Sequence, residues 1–316
     1  MNTERLKVFI KKEFDMDYVG VCAASALSGE PAGRRPEDIL PGAKSVIVFG
    51  RRLVDGAIQA LFRTYEDKKA EARATYGAYA AELAPNILMV DATNNIAAYL
   101  EDTTGCASAP VTFAVQQDMV WEQFPAPYFT DPYAQGMPLN IWQAAMAAGI
   151  GEYGWSNRFL TPEDGPRVML SAVITAAELE PDSPYSGPAL CDPEKCGVCA
   201  KMCPTGAISA CKSCEKAVEG KSVKVAEINP RACAVAALGF RKEFYGRSAD
   251  LIEGNDPTVE EINAALAKKP LALDAAVNHY ARYLCERCLI YCPTGRWKER
   301  FYDTGLTKVA PPEKTE

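Results

Sequence analysis

At 316 residues, 48% of them hydrophobic, the chain is long enough to bury a full core as one large domain or two smaller ones. Its 34 Lys and Arg against 41 Asp and Glu leave a net charge of -7. That balance exerts no global pull on nucleic acid, so a nucleic-acid partner is disfavoured. The single histidine, His279, among 12 cysteines argues against mixed Cys/His zinc sites, a Ser-His-Asp triad and a multi-histidine iron site, all of which need more imidazole.

The N-terminal stretch MNTERLKVFIKKEF is an amphipathic helix over 3–14, without the apolar core of a secretion signal and without a twin-arginine pair. No apolar run reaches the roughly 18 residues needed to span a bilayer. A cytoplasmic location without membrane contact is expected, where clustered cysteines stay reduced and bind metal or do redox chemistry. DYVGVCAAS and AKSVIVFGRR read as short buried strands around the Gly/Pro-rich loop GEPAGRRPEDILPGAK. Val54 to Glu101 is Ala-rich with helical spacing, and APVTFAV, 109–115, reads as another strand. PAPYFTDPYAQGMP, 125–138, is too rich in Pro and aromatics for regular structure and reads as a loop that presents side chains.

NIWQAAMAAG then reads as a short helix, GEYGWSNRFLTPEDGP as a turn and RVMLSAVIT as a buried strand. ELEPDSPYSGP is a linker, which places a domain boundary near 180–188. The expected organisation is an α/β (α+β) domain over 1–184, a cysteine-rich domain over 185–300 and a tail over 301–316. Within the second part, Thr258 and Glu261 have capping-box spacing ahead of the helix EEINAALAKK, and DAAVNHYARYLCERC reads as a further helix.

Two cysteine runs carry the chemistry: Cys191-x4-Cys196-x2-Cys199-x3-Cys203-Pro204 and Cys285-x2-Cys288-x3-Cys292-Pro293. Short spacers let thiolates converge on a compact inorganic core, and in bacterial ferredoxins the cysteine before proline ligates the other cluster. Two four-cysteine clusters need eight ligands and the runs supply seven, so Cys233 is taken as the eighth. Cys191, Cys196, Cys199 and Cys292 are then expected to hold one 4Fe-4S cluster, and Cys203, Cys233, Cys285 and Cys288 the other. The alternative is a pair of four-cysteine zinc sites, although these usually use two C-x2-C knuckles each. Cys211 and Cys214 form a further C-x2-C pair, read as free surface thiols rather than a third cluster. Cys22 and Cys106 read as small buried hydrophobes.

An α/β domain, then AAGIGEYGWSNRFLTPEDGPRVMLSAVIT, CGVCAKMCPTGAI, a lone RAC and finally CERCLIYCP resembles the epoxyqueuosine reductase and reductive dehalogenase superfamily over about residues 5 to 300. The resemblance implies a nitroreductase-like corrinoid-binding domain followed by a bacterial ferredoxin-like two-cluster 4Fe-4S domain. It implies cobalamin bound base-off, and an oxidoreductase in which clusters pass electrons to a corrinoid that reduces a small organic substrate. The electrons would come from a low-potential donor such as ferredoxin or flavodoxin. By the same likeness the corrinoid would contact Gly149, Gly151, Gly154, Trp155, Ser156, Asn157, Thr161 and Gly165, where small residues permit close backbone approach. A proton donor, Asp in one branch and Tyr in the other, points to Asp131 or Tyr133, with Tyr128 beside them.

The pattern is not complete. The first spacing is x4 rather than x2, the chain ends 24 residues after Cys292, and its last stretch, KVAPPEKTE, reads as disordered. With the acidic balance, that makes tRNA a doubtful substrate. Two other readings stand beside the leading one: a tRNA epoxyqueuosine reductase, and a corrinoid-free electron-transfer protein.

Overall fold

The computed structural model describes residues 2–67, 76, 79–80, 84, 87–111, 139–237, 239–244, 250–268 and 285–295. Asp131, Tyr133 and Tyr128, residues 274–284 of the expected helix DAAVNHYARYLCERC and the tail lie outside them.

A four-stranded antiparallel sheet forms the centre. Its strands are β1 (Tyr18–Ala23), β2 (Ser45–Arg52), β3 (Ser108–Val111) and β6 (Val168–Thr175), in the order β1-β2-β6-β3. Two short strands, β4 (Glu152–Tyr153) and β5 (Phe159–Leu160), make a separate hairpin between β3 and β6 in the chain. The β2 and β6 sequences, SVIVFGRR and VMLSAVIT, are apolar almost throughout because both faces of the sheet are covered. Ile47, Phe49, Met169 and Val173 pack on one side, while Val46, Val48, Leu170, Ala172 and Ile174 pack on the other. This is the two-residue alternation of a pleated strand.

The first face is covered by α1 (Thr3–Glu13), α3 (Asp55–Asp67) and α4 (Met89–Thr104). The side chain of Asn2 caps α1 by accepting from the Arg5 amide at 2.9 Å. In α4, buried Met89, Ala92, Thr93, Ile96, Ala97 and Leu100 recur at helical spacing, and Gly105, at φ 67°, ends the helix. The stretch read as one Ala-rich helical region thus contains two described helices. On the opposite face lies α5 (Ile141–Ala147), buried except at Trp142, which is half-buried. The Gly/Pro-rich loop holds a single helical turn, α2 (Pro36–Ile39), where Pro36 at the first position is pre-set for a helix.

Sequence patterning missed one element. β7 (Ile208–Val218) and β8 (Lys221–Ile228) form a two-stranded ribbon. Their two-residue turn, Glu219-Gly220, has positive φ at both positions, as the right-handed twist of a hairpin requires. Val218 and Val225 pack into the core beneath the sheet, whereas Ile208 and Ala226 pack with Trp155 beside the cysteines. The ribbon also carries Cys211 and Cys214, both exposed as expected. Cys22 is fully buried in the core. Cys106, expected to be buried too, is only half-buried because it follows the helix-ending Gly105 at the rim of the sheet.

Beyond the ribbon come α7 (Pro230–Ala237) and α8 (Val259–Ala267), which share a small core with Phe240 and Phe244. The capping box is present. The Thr258 amide donates to Glu261 Oε2 at 2.7 Å, and the Glu261 amide donates to Thr258 Oγ1 at 3.2 Å. Cys233 and Cys285 pack against this core, so α8 backs part of the cysteine region. No helix among the described residues is long and apolar enough to cross a membrane. Replacing Thr258 with Ala should cost about 1 kcal/mol, seen as a lower denaturant midpoint with an unchanged slope.

Candidate metal centre

Each cysteine is held by ordinary local structure. Gly197, at φ 58°, turns the chain from Cys196 into α6 (Val198–Met202), which carries Cys199. Cys203 closes that helix in an extended conformation, as the residue before a proline must. In the second run, Cys288 sits on α9 (Arg287–Ile290), with Cys285 just before it and Cys292 just after. Cys233 rides on α7, whose start is capped by Asn229 Oδ1 accepting from the Arg231 and Ala232 amides at 3.1 Å each.

The fold brings these separate segments together. The thiols of Cys292 and Cys196 act electrostatically on Cys191, and those of Cys191 and Cys292 on Cys199. Cys233 feels Cys285, Cys288 and Cys203. These influences cross between the two runs, so the segments that carry them lie near one another. The two sets also adjoin, since the largest electrostatic influence on Cys199 comes from Cys288. Burial, followed by these neighbours, pushes the Cys191 thiol up to about 11 and Cys199 and Cys285 up to about 12. Thiols that raise one another in this way become stable together as thiolates around a cationic core. Among the described residues, no three His, Cys, Asp or Glu side chains gather tightly enough to hold a single metal ion.

Several sulfurs already receive hydrogen bonds. The Trp155 amide donates to Cys191 Sγ at 3.3 Å and the Ala207 amide to Cys203 Sγ at 3.2 Å. Arg158 Nε donates to Cys288 Sγ at 3.0 Å, while its Nη2 donates to Glu286 Oε2 at 2.5 Å. Burial opposes the charge of Arg158, but Cys288 and Glu286 more than offset it and hold the guanidinium above its ordinary range. Burial pushes the Glu286 carboxyl up against the opposing pull of Arg158. A second buried arginine, Arg167, donates through Nη1 to the carbonyls of Leu289 at 3.0 Å and Cys292 at 3.1 Å, and through Nη2 to that of Thr294. None of Arg158, Glu286 and Arg167 was picked out from the sequence. The available signals were a charge directly before an apolar strand and an acid inside a C-x2-C pair.

The residues expected to contact a corrinoid have other work. A Cβ on Gly151 would lie 1.9 Å from the Leu160 carbonyl oxygen, one on Gly149 2.4 Å from that of Ser183, and one on Gly165 2.3 Å from that of Thr294. On Gly154 it would meet the Leu160 side chain at 2.6 Å. The space a side chain would need at these glycines is filled by the protein's own chain, which is itself a reason for glycine there. Trp155, buried, donates Nε1 to the Ser209 carbonyl at 2.9 Å and accepts the Ala226 amide at 2.8 Å, which ties the β4–β5 hairpin to the ribbon. Ser156 is also buried. Thr161 is buried and its backbone bonds reciprocally to Gly165, closing the TPEDG loop on itself.

Asn157, at φ 60°, does reach a cavity of about 480 Å³, lined also by Trp142, Tyr153, Cys214 and, on the cysteine side, Ala226 and Ile228. Gly149 borders a different cavity of about 670 Å³, with Lys7, Tyr18, Asp164 and Tyr185.

No family model matches the chain. It is 31% identical over 158 residues to an epoxyqueuosine reductase of Listeria monocytogenes, a match covering 50% of this chain and 30% of that protein. A tetrachloroethene reductive dehalogenase of Sulfurospirillum multivorans is 32% identical over 96 residues, 30% of this chain and 18% of that one. The chain is related to the epoxyqueuosine reductases and the reductive dehalogenases. It covers less than a third of the length of either relative. A solved epoxyqueuosine reductase carrying an epoxyqueuosine-modified tRNA-Tyr stem loop aligns at 16% identity and a TM-score of 0.38, over 65% of this chain and 53% of that one. Neither relative supports the expectation against nucleic acid as a partner.

Replacing Gly151 with Ala separates the two reasons for this glycine. If it serves the hairpin, the variant should lose about 2 kcal/mol or more in chemical denaturation, because a backbone carbonyl has to move. If it only admits a ligand, its stability should match that of the parent.

Proposed function

We propose that the protein is an iron-sulfur reductase that relays electrons through two 4Fe-4S clusters to a corrinoid, which reduces an organic substrate. The observation that carries this reading is that cysteines of both runs and α7 lie near one another, Cys191, Cys199, Cys203 and Cys288 beside Trp155 and Cys233 and Cys285 beside the α7–α8 core, with N–H donors aimed at three of the sulfurs. The donor chemistry fits: four thiolates per set match a 4Fe-4S core, and hydrogen bonds to sulfur and burial tune its potential.

In this reading Cys191, Cys196, Cys199 and Cys292 hold one cluster and Cys203, Cys233, Cys285 and Cys288 the other. Cys199 and Cys288 pack against the same small core of Trp155, Ile208 and Ala226, which supports electron passage from set to set. The electrons would enter from a low-potential protein such as ferredoxin or flavodoxin.

The glycines of the β4–β5 hairpin do not fit a ligand cradle, since the chain itself occupies the space beside them. The acceptor is proposed instead to use the cavity holding Tyr153 and Asn157, because Ala226 and Ile228 in its wall also pack beside the cysteines. There the buried Tyr153, with Trp142 edge-on at 6.1 Å and the Lys216 Nζ 5.8 Å from its ring centre, forms the inner wall, and Glu30, Arg34, Glu215 and Lys216 make the lining largely polar. A corrinoid, when bound, would supply a cobalt centre able to reduce organic molecules at low potential. Asp131 and Tyr133, with Tyr128 beside them, remain the proposed proton donors. Both substrate classes of the relatives, a modified nucleoside in tRNA and a halogenated organic molecule, are assigned to the test.

Anaerobic reconstitution should give about eight iron and eight sulfide per chain, falling to about half in Cys199→Ala. Zinc in place of iron after strictly anaerobic preparation would overturn the cluster reading. Gel filtration after incubation with cobalamin should leave a corrinoid spectrum on the protein. A protein fraction that stays colourless apart from its clusters would reduce the reading to a plain electron carrier.

A further inference from the structure

Arg158 precedes β5 and is 6% exposed, and its charge has no part in the relay as described. A guanidinium cannot lose its proton in a protein, so this is a permanent positive charge. Its Nε meets Cys288 Sγ at 3.0 Å and its Nη2 meets Glu286 Oε2 at 2.5 Å. Glu286 is itself fixed, since its amide donates to the Tyr65 hydroxyl at 2.8 Å. One edge of the planar fork thus touches a proposed ligand sulfur through Nε–H and a buried carboxylate through the adjacent Nη2–H. Cys191, in the other set, takes its hydrogen bond from the backbone amide of Trp155 instead.

Reducing a cluster by one electron adds one negative charge that spreads onto its sulfurs. A cationic donor on a ligand sulfur stabilises the reduced form more than the oxidised one, and a nearby carboxylate does the reverse.

We propose that Arg158 is a positioning residue that raises the reduction potential of the Cys203, Cys233, Cys285 and Cys288 cluster, with Glu286 as its counterweight. That cluster then becomes the higher-potential station of the relay. The inference rests on the two-cluster reading above. It predicts shifts of opposite sign from the two partners, which a purely structural tie between hairpin and second run would not produce.

The test is an anaerobic potentiometric titration of the reconstituted full chain, read by the spin signals of the reduced clusters, after iron and sulfide have been assayed in each preparation. In Arg158→Gln, the ratio of reduced to oxidised form of one cluster at a fixed potential should fall at least about tenfold, 59 mV for a one-electron couple, while the other cluster keeps its midpoint. Arg158→Lys, which keeps the charge, should fall less. Glu286→Gln should move the same cluster upward, and it carries the test if Arg158→Gln fails to hold iron. Iron-replete Arg158→Gln and Glu286→Gln proteins with both midpoints unmoved would overturn the assignment, and so would an unmoved Glu286→Gln alone where Arg158→Gln does not hold iron. A parent protein that takes up no iron would overturn the cluster reading, and the assignment with it, before any titration begins.

Discussion

The position of the second cysteine run depends on one buried guanidinium. Arg167 stands immediately before β6, in the middle of the central sheet, with 1% of its surface exposed. It binds the carbonyls of Leu289, Cys292 and Thr294, at and just after the end of α9. Carbonyls at the end of a helix have no intrahelical partner, and a buried cation is a strong way to satisfy them. The backbones beside this grip touch. A Cβ on Gly165 would strike the Thr294 carbonyl oxygen at 2.3 Å, and one on Gly295 would lie 2.7 Å from the backbone of Asp164 and Gly165. Arg167 therefore fixes Cys288 and Cys292 against the same hairpin that presents Trp155 and Arg158.

That registration makes crossed grouping feasible. Cys292 can sit with Cys191 only if the chain about a hundred residues later is held beside the linker, and the Thr294 hydroxyl donates to the Leu190 carbonyl at 2.9 Å. Leu289 and Ile290 of α9 bury themselves in the core beneath α1, α3 and α4. The second run is thus part of the first half's core, and filling the cysteine sets would be coupled to folding of the whole rather than of a detachable module. Hydrogen bonds from the Trp155 and Ala207 amides to sulfur belong to the same economy of structure, because the ribbon and hairpin that supply them are pinned to each other through Trp155.

Much of this is legible in the sequence where a pattern is local. SVIVFGRR and VMLSAVIT announce buried strands because their apolar runs are short and β-branched, and Thr258 with Glu261 announces a helix start. The cysteine spacings carry the grouping because ligand geometry leaves few ways to close two sets. The ribbon escaped notice because cysteines and lysines occupy the positions that would otherwise alternate cleanly along ISACKSCEKAV, leaving the Glu219-Gly220 turn as its sole clear signal. The glycines of GIGEYG were legible as glycines but not as to purpose. Whether the space beside a missing Cβ goes to a ligand or to Leu160 is decided by a strand that pairs only in the folded chain. Arg158 and Arg167 were illegible for the same reason, since their partners lie more than a hundred residues away.

The buried pair of Arg158 and Glu286 is not explained by stability. Desolvating two charges costs several kcal/mol per ion, and replacing such a pair with well-packed apolar residues is often neutral or stabilising by about 1–4 kcal/mol, whereas removing one partner costs about 3–5 kcal/mol. A pair that merely joined the hairpin to the second run would be outperformed by a Leu and a Met of similar volume. Its geometry is also asymmetric: Nε–H and Nη2–H, which lie on one edge of the guanidinium and could together grip a carboxylate, are divided between Cys288 and Glu286. The carboxylate thus holds the guanidinium in place, and the remaining Nε–H stays directed at sulfur. An arrangement that gives up ion-pair strength to place a permanent cation on one thiol is accounted for by what that thiol is proposed to hold, because a fixed charge beside a group whose charge changes during its work sets the midpoint of that change.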